Sequence, residues 1–182
     1  MRLTALLCLL ASLLALPLPR GVFAEDLKLE EGFALLFNGK SLDGWKVRGG
    51  DKLDGKTESP GARFVIQDGS LVIDPNVKTG QVLDSAVEFG PLSHIKFQYK
   101  PGPGCNNDLY YLGLKFDIKT GSVKNLKEGE WNEMEIVGNG KTVEFRNNGE
   151  VQFSAVPKAQ ASPLGIRAEF GGIEYRRLRF KK

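Results

Sequence analysis

From residue 34 onward the chain alternates oily and polar side chains in short runs, each stopped by Gly, Asn, Asp or Pro. A period of two places alternate residues on opposite faces of a strand, and the stops supply turns. Residues 63–67 and 70–73 flank Asp68-Gly69, a two-residue hairpin signal. Ile95, Phe97 and Tyr99 alternate with Lys96, Gln98 and Lys100, as on a half-buried strand. Two strands, at 132–137 and 141–146, surround Gly138-Asn139-Gly140, and another hairpin turns at Asn148-Gly149. Runs at 164–170 and 173–180 are joined by Gly171-Gly172. No segment sustains a helical period, so the reading is about ten strands in one all-β antiparallel two-sheet sandwich. Residues 49–61 and the Pro-Gly-Pro-Gly stretch at 101–104 are expected as loops.

The same alternation sorts side chains onto faces. Taking 109–119 as one strand, Tyr110, Leu112, Leu114, Phe116 and Ile118 form the core row, which leaves Tyr111, Gly113, Lys115 and Asp117 on the other face. In the run at 164–170 the expected core row is Leu164, Ile166, Ala168 and Phe170, with Arg167 and Glu169 opposite. Met134 and Ile136 read as core, and Trp131, Glu133 and Glu135 as outward. A face carrying an aromatic ring, a bare glycine and paired charges suits a sugar. The ring meets C–H faces, while carboxylate, amide and guanidinium groups meet hydroxyls. Asn106 and Asn107, behind the rigid turn, are placed to close one end of such a groove. The competing reading is a solvated sheet face whose cross-strand ion pairs contribute only tenths of a kcal/mol to about 1 kcal/mol.

Composition narrows the classes. Residues 1–24 combine Arg2, an apolar run over 3–18, helix-breaking Pro17 and Pro19, and a small-residue ending at Ala24. That is the pattern of a cleaved signal peptide, and the run is short for a bilayer span of about 20 residues. Cleavage leaves residues 25–182 as one domain. Removing Arg2 and Arg20 takes the formal charge from +3 to +1, which gives no footing for nucleic acid or, once the signal is gone, for a membrane. Cys105 is the one cysteine past the signal, and His94 is the one histidine. An internal disulfide and a multi-histidine zinc site are therefore excluded. Cys105 reads as a buried apolar residue and His94 as a surface loop residue.

Phe37-Asn38-Gly39-Lys40-Ser41-Leu42-Asp43-Gly44-Trp45 resembles the opening signature of the 3-keto-disaccharide hydrolase domain family. Weaker matches follow in order: Phe64 through Gly69, Gly129-Glu130-Trp131-Asn132, Asn148-Gly149, Pro163 through Ile166, and Ile173 through Arg176. The stretches at 104–109 and 115–118 are similar to a compact subgroup of it. The resemblance implies a concanavalin- or laminarinase-like jelly roll with sugar on one sheet face. It also implies cleavage of glycosides oxidised at C3, where the ketone acidifies the C2 proton and permits elimination across C1–C2. Such a route wants a base near C2 and an electrophile or bound cation at the ketone oxygen. The chain departs from the family at Asn106-Asn107-Asp108, at Lys115 where Gln or Glu is expected, and in a short segment over 118–126.

The expected function is thus an exported, secreted or periplasmic, hydrolase or lyase acting on 3-keto-glycosides. Asp117 and Glu169 are the candidate catalytic carboxylates. Asn106, Asn107, Tyr111, Lys115 and Arg167 are the candidate substrate-binding residues. No cofactor or metal is expected, the partner is a carbohydrate, and oligomeric state is left open. The alternative from another class is a non-catalytic carbohydrate-binding or surface-interaction module, and a purely structural envelope protein is a third option.

Overall fold

Alternating runs become buried on one side only if two sheets face each other, and that is how the chain folds. The computed structural model describes residues 28–182, so the signal peptide expected at 1–24 lies outside the described residues. The strands are β1 (Ala34–Leu35), β2 (Trp45–Val47), β3 (Phe64–Gln67), β4 (Ser70–Ile73), β5 (Gln81–Phe89), β6 (His94–Pro101), β7 (Asn106–Tyr111), β8 (Leu114–Lys119), β9 (Asn132–Gly138), β10 (Val143–Asn147), β11 (Glu150–Ala155), β12 (Ser162–Phe170) and β13 (Ile173–Lys181). A 3-10 turn at Pro60–Ala62 is the helical element among the described residues. One sheet runs β11-β10-β9-β6-β13-β4-β3, with β1 also on β13; the other runs β2-β5-β12-β7-β8. Every strand pair is antiparallel. The protein is an antiparallel two-sheet jelly roll.

Turn chemistry fixes the register where the sequence signals it. Asp68-Gly69 joins β3 to β4 and Asn148-Gly149 joins β10 to β11, with positive φ at all four residues (49°, 77°, 49° and 82°). Such two-residue turns twist in the sense that antiparallel strands require. The inward rows then meet as expected: Ile95, Phe97 and Tyr99 of β6, Met134 and Ile136 of β9, and Leu164, Ile166 and Ala168 of β12 are fully buried. Phe116 of one sheet stacks on Phe145 of the other, with ring centroids 5.0 Å apart and planes 8° from parallel. Buried polar tips find partners: the Tyr99 hydroxyl donates to Asn147 Oδ1 at 2.8 Å, and Trp45 Nε1 donates to the Leu36 carbonyl at 3.2 Å. Cys105 is buried among these groups, and burial pushes its thiol up to about 11.

The outward face of the larger sheet is covered by charge pairs. Arg179 meets Glu30 and Glu133 at 2.8 Å each, and Lys100 meets Glu174 at 2.5 Å. The Arg176 guanidinium lies 3.7 Å from the Trp131 ring centroid, so that indole is already capped by a cation. His94 is not a loop residue: it opens β6 and reaches Glu135 at 2.9 Å. Arg179 is buried, but the other groups are partly open to solvent, and pairs among such groups add little stability individually.

The tightest backbone constraint lies at the β9 end. A Cβ on Gly138 would stand 2.2 Å from the Pro91 carbonyl oxygen and 2.8 Å from its carbon. Neither backbone atom can retreat, because the Gly138 amide donates to the Ser93 carbonyl at 3.0 Å and the Gly140 amide to the Pro91 carbonyl at 2.8 Å. Gly138→Ala is expected to cost about 1–3 kcal/mol in urea unfolding, and an unchanged midpoint would show that the loop yields without strain.

Candidate functional site

The outward face of the five-stranded sheet carries the chemistry, and its layout begins with a turn the alternation did not reveal. Residues 109–119 are not one strand. Leu112 and Gly113 both adopt positive φ, 48° and 74°, and fold the chain into the β7–β8 hairpin. Leucine rarely takes this conformation, but here its side chain is fully buried, its amide donates to Ser162 Oγ at 2.7 Å, and its carbonyl accepts from the Lys158 amide at 2.9 Å. The turn resets the phase. In β8 the even residues Leu114, Phe116 and Ile118 point inward, whereas in β7 the odd residues Asn107, Leu109 and Tyr111 do.

Two expected ligand contacts are corrected by this reset. Tyr111 belongs to the core; its hydroxyl donates to the Gly90 carbonyl at 3.0 Å, and burial pushes its pKa up to about 12. Tyr110 occupies the outward place instead, with the Arg48 guanidinium 4.8 Å from its ring centroid. Asn107 is also fully buried. Its Nδ2 donates to the Phe170 carbonyl at 3.0 Å and its Oδ1 accepts the Glu169 amide at 2.7 Å. It is a brace between strands, not a ligand contact.

That brace matters because β12 bulges there. The register against β7 runs Arg167 with Asp108, then Phe170 with Asn106, so two residues of β12 face one of β7. A bulge re-aims the side chains that follow it. Ala168 stays in the core, but Phe170, expected there too, leaves it and stands 61% exposed on the outward side beside Asn106. The phase shift has no one-residue signature in the sequence. The buried amide of Asn107 is its cause in the structure.

Asp108, Arg167 and Asp117 share one rung across β12, β7 and β8. The Asp108 side chain has no exposure, although it is outward-facing, because its neighbours lie over it. Its Oδ2 accepts from Arg167 Nη1 at 2.8 Å, while Oδ1 has no hydrogen-bond partner among the described residues and meets Lys115 Nζ at 3.4 Å. Lys115 also reaches Asp117 at 2.8 Å, and Arg167 reaches Glu169 at 3.0 Å. Of the expected site residues, Lys115, Asp117, Arg167 and Glu169 therefore converge on Asp108; Asn106 lies next to it, and Asn107 and Tyr111 face away. Burial, then the Asp117 carboxylate, raises the Asp108 pKa; the Lys115 ammonium lowers that of Asp117. Two carboxylates on one rung are thus driven apart in acidity.

One rung along, Arg48 holds Asp84 through two bonds, Nε to Oδ2 at 3.0 Å and Nη2 to Oδ1 at 2.8 Å. It can reach across the sheet because Gly165 lies beneath it: a Cβ there would meet Arg48 Nη2 at 2.6 Å and Asp84 Oδ1 at 3.0 Å. Arg48, Gln81, Val82 and Arg167 line an open depression of about 400 Å³ on this face. Among the described residues no group of three or more His, Cys, Asp or Glu side chains is arranged to hold a metal ion.

Residues 32–125 match the model of the 3-keto-alpha-glucoside-1,2-lyase-like domain family, which is just over half of the 182-residue chain. The chain belongs to this family. The match includes Asp108, Lys115 and Asp117 of the lyase-like domain but stops before β12, so Arg167, Glu169 and Phe170 lie beyond it. No curated protein matches by sequence. Among solved structures, a provisionally assigned glycosyl hydrolase from Parabacteroides distasonis superimposes with a TM-score of 0.64 at 19% identity, over 83% of this chain and 94% of that one. A carbohydrate-binding module from Bacillus subtilis gives 0.52 at 7% identity, over 80% and 99%. A Bacillus subtilis protein with a galectin-like fold gives 0.50 at 9% identity, over 77% and 90%. At such identities the likeness is one of fold.

Two variants separate brace from charge. Asn107→Ala leaves the Phe170 carbonyl and the Glu169 amide without their partner, and is expected to cost about 1–3 kcal/mol in urea unfolding. For Asp108 the folded pKa lies above the unfolded one, so its contribution to stability grows as pH falls through the interval just above the ordinary carboxylate range. Asp108→Asn removes that titration. Stability at pH 7 should stay within about 1 kcal/mol of wild type while the gain on mild acidification disappears. A loss of several kcal/mol at pH 7 would contradict this.

Proposed function

We propose that the domain binds a carbohydrate on the outward face of the five-stranded sheet, between Phe170 and the cluster on Asp108. The observation that carries this reading is the Phe170 ring, turned out of the core by the bulge and 61% exposed beside Asn106, Glu169 and Arg167. An exposed ring on a fixed backbone offers sugar C–H groups an apolar platform, and the neighbouring guanidinium and carboxylate take hydroxyls. The family supports a sugar oxidised at C3 as the ligand. Isothermal titration of the mature protein with a 3-keto-glucoside should show saturable binding, weakened at least about ten-fold by Phe170→Ala or Arg167→Ala (about 1.4 kcal/mol) and unaffected by Trp131→Ala on the other sheet. Equal affinity in all three variants would place the ligand elsewhere.

A second reading is catalytic, and the placement of the Glu169 carboxylate beside the Arg167 guanidinium, with the Lys115 ammonium on the same face, favours it. A base takes the C2 proton of the 3-keto sugar, the electron pair forms the C1–C2 double bond, and the C1–O bond breaks to an alcohol leaving group that takes a proton. Water then adds across the double bond to complete hydrolysis. Lys115 lowers the Asp117 pKa and makes it a poor base, so this reading assigns the base to Glu169, freed when its partner Arg167 turns to the ketone oxygen, and ketone polarisation to Arg167 or Lys115. Glu169→Gln should reduce turnover of 3-keto-trehalose by 10²–10⁴-fold, the range typical of general-base loss, with binding retained. Undiminished turnover would remove Glu169 from the mechanism. Binding without any product would leave the first reading standing alone. Export belongs to the same proposal, and it requires a mature N-terminus at Glu25 in the periplasmic or extracellular fraction.

A further inference from the structure

The same face carries a second device, at the opposite end of β12 from Phe170. The pairs Asp84–Gly165 and Glu88–Pro163 leave three residues of β5 (85–87) opposite one of β12 (Leu164). Such a gap strands backbone groups that must be bonded elsewhere. Ser85, 2% exposed, does this: its Oγ accepts the Leu164 amide at 3.0 Å and donates to the Val87 carbonyl at 2.7 Å. The widened ladder opens a cavity of about 320 Å³ whose floor includes buried Trp45.

Its wall is equally fixed. Lys46 and Lys52 face each other in an antiparallel bridge, both exposed, both lining the cavity. Asp54 Oδ1 and Asp43 Oδ1 accept the Gly44 and Gly55 amides at 2.9 Å and 2.5 Å, and the Leu53 amide donates to the Trp45 carbonyl at 2.9 Å. Like charges directly opposite in a sheet repel. Neither lysine has an ion-pair partner among the described residues: Asp84, the register partner of Lys46, is held by Arg48, and Glu88 lies four residues further along β5. The lining also carries two carboxylates, Asp54, which accepts the Gly44 amide, and Glu88. It is therefore the Lys46–Lys52 side of the cavity, with Ala86 and Pro163 also in the lining, that suits an anion attached to an apolar ring face.

We propose that this cavity binds an anionic sugar unit, its carboxylate or sulfate between Lys46 and Lys52, and that the rest of the glycan continues toward Arg167. The proposal rests on the carbohydrate reading of the face. Pro163, Gly165 and Arg167 alternate along β12 from this cavity to the Asp108 cluster, a span of about 13 Å at roughly 3.3 Å per residue, longer than a single sugar ring. Glu88 is placed for a hydroxyl at the far end.

The test is calorimetric titration of the mature protein with tetragalacturonate, a sulfated tetrasaccharide and neutral cellotetraose, with a 3-keto-glucoside as control. The expected result is at least ten-fold tighter binding of an anionic tetrasaccharide than of the neutral one. The Lys46→Ala/Lys52→Ala double variant should abolish that preference while leaving 3-keto-glucoside binding unchanged and the thermal midpoint no lower than that of wild type. The stronger of the two anionic ligands identifies carboxylate or sulfate as the group held. Anionic and neutral chains binding alike, or a preference that survives the double variant, would overturn the proposal while control binding keeps the carbohydrate reading intact. Failure of every ligand, the control included, would overturn both.

Discussion

A carboxylate cut off from water governs the outward face of the five-stranded sheet. Asp108 stands on the strand between β8 and β12, and its burial has to be offset by charge brought to it. Arg167 supplies it from one side and Lys115 from the other. Each of those cations then orients a more exposed carboxylate, Glu169 and Asp117 respectively. Long flexible side chains that would otherwise sample many rotamers are thereby held in one arrangement before any ligand arrives, which lowers the ordering cost of binding. The acidity difference between the two carboxylates has two causes, burial at Asp108 and the Lys115 ammonium at Asp117.

Irregularities in the sheet do the rest. The β12 bulge after Arg167, braced by Asn107, turns Phe170 outward; the wider mismatch between β5 and β12, braced by Ser85, opens the cavity beside Lys46. Between them the ladder is regular, and bare Gly165 lets Arg48 cross to Asp84. In both places a buried polar side chain takes over hydrogen bonds that the ladder has lost. A regular sheet would present a level row of charges; these two breaks give the face its relief.

The alternation in the sequence was sufficient for most of the fold, because burial of one face sets strand phase wherever a strand is unbroken. Met134 and Ile136, or Ile95, Phe97 and Tyr99, read correctly for that reason. The site was legible only where phase survived: Lys115, Asp117, Arg167 and Glu169 lie on the face where alternation put them. It failed where backbone geometry changed without a sequence marker. Leu112-Gly113 lacks the Asn or Asp that marks other turns here, so Tyr110 and Tyr111 exchanged roles. Phe170 followed the core pattern to its last residue, yet a bulge held by an asparagine on the neighbouring strand, distant in sequence, reversed it. Asp108 was hidden in a polar triplet that also suits a turn, and its importance comes from partners distant in sequence. The two-residue hairpins at Asp68-Gly69 and Asn148-Gly149 show the contrast, since there the marker and the geometry coincide.

The central claim is that ligand recognition belongs to the outward face of the five-stranded sheet. Amide chemical-shift mapping by NMR during titration with a 3-keto-glucoside addresses it directly. The account predicts that perturbations concentrate at 106–110, 115–119 and 165–170, with little change at Lys100, Trp131 or Arg176. Perturbations centred on that Trp131 surface, with β7, β8 and β12 silent, would contradict it.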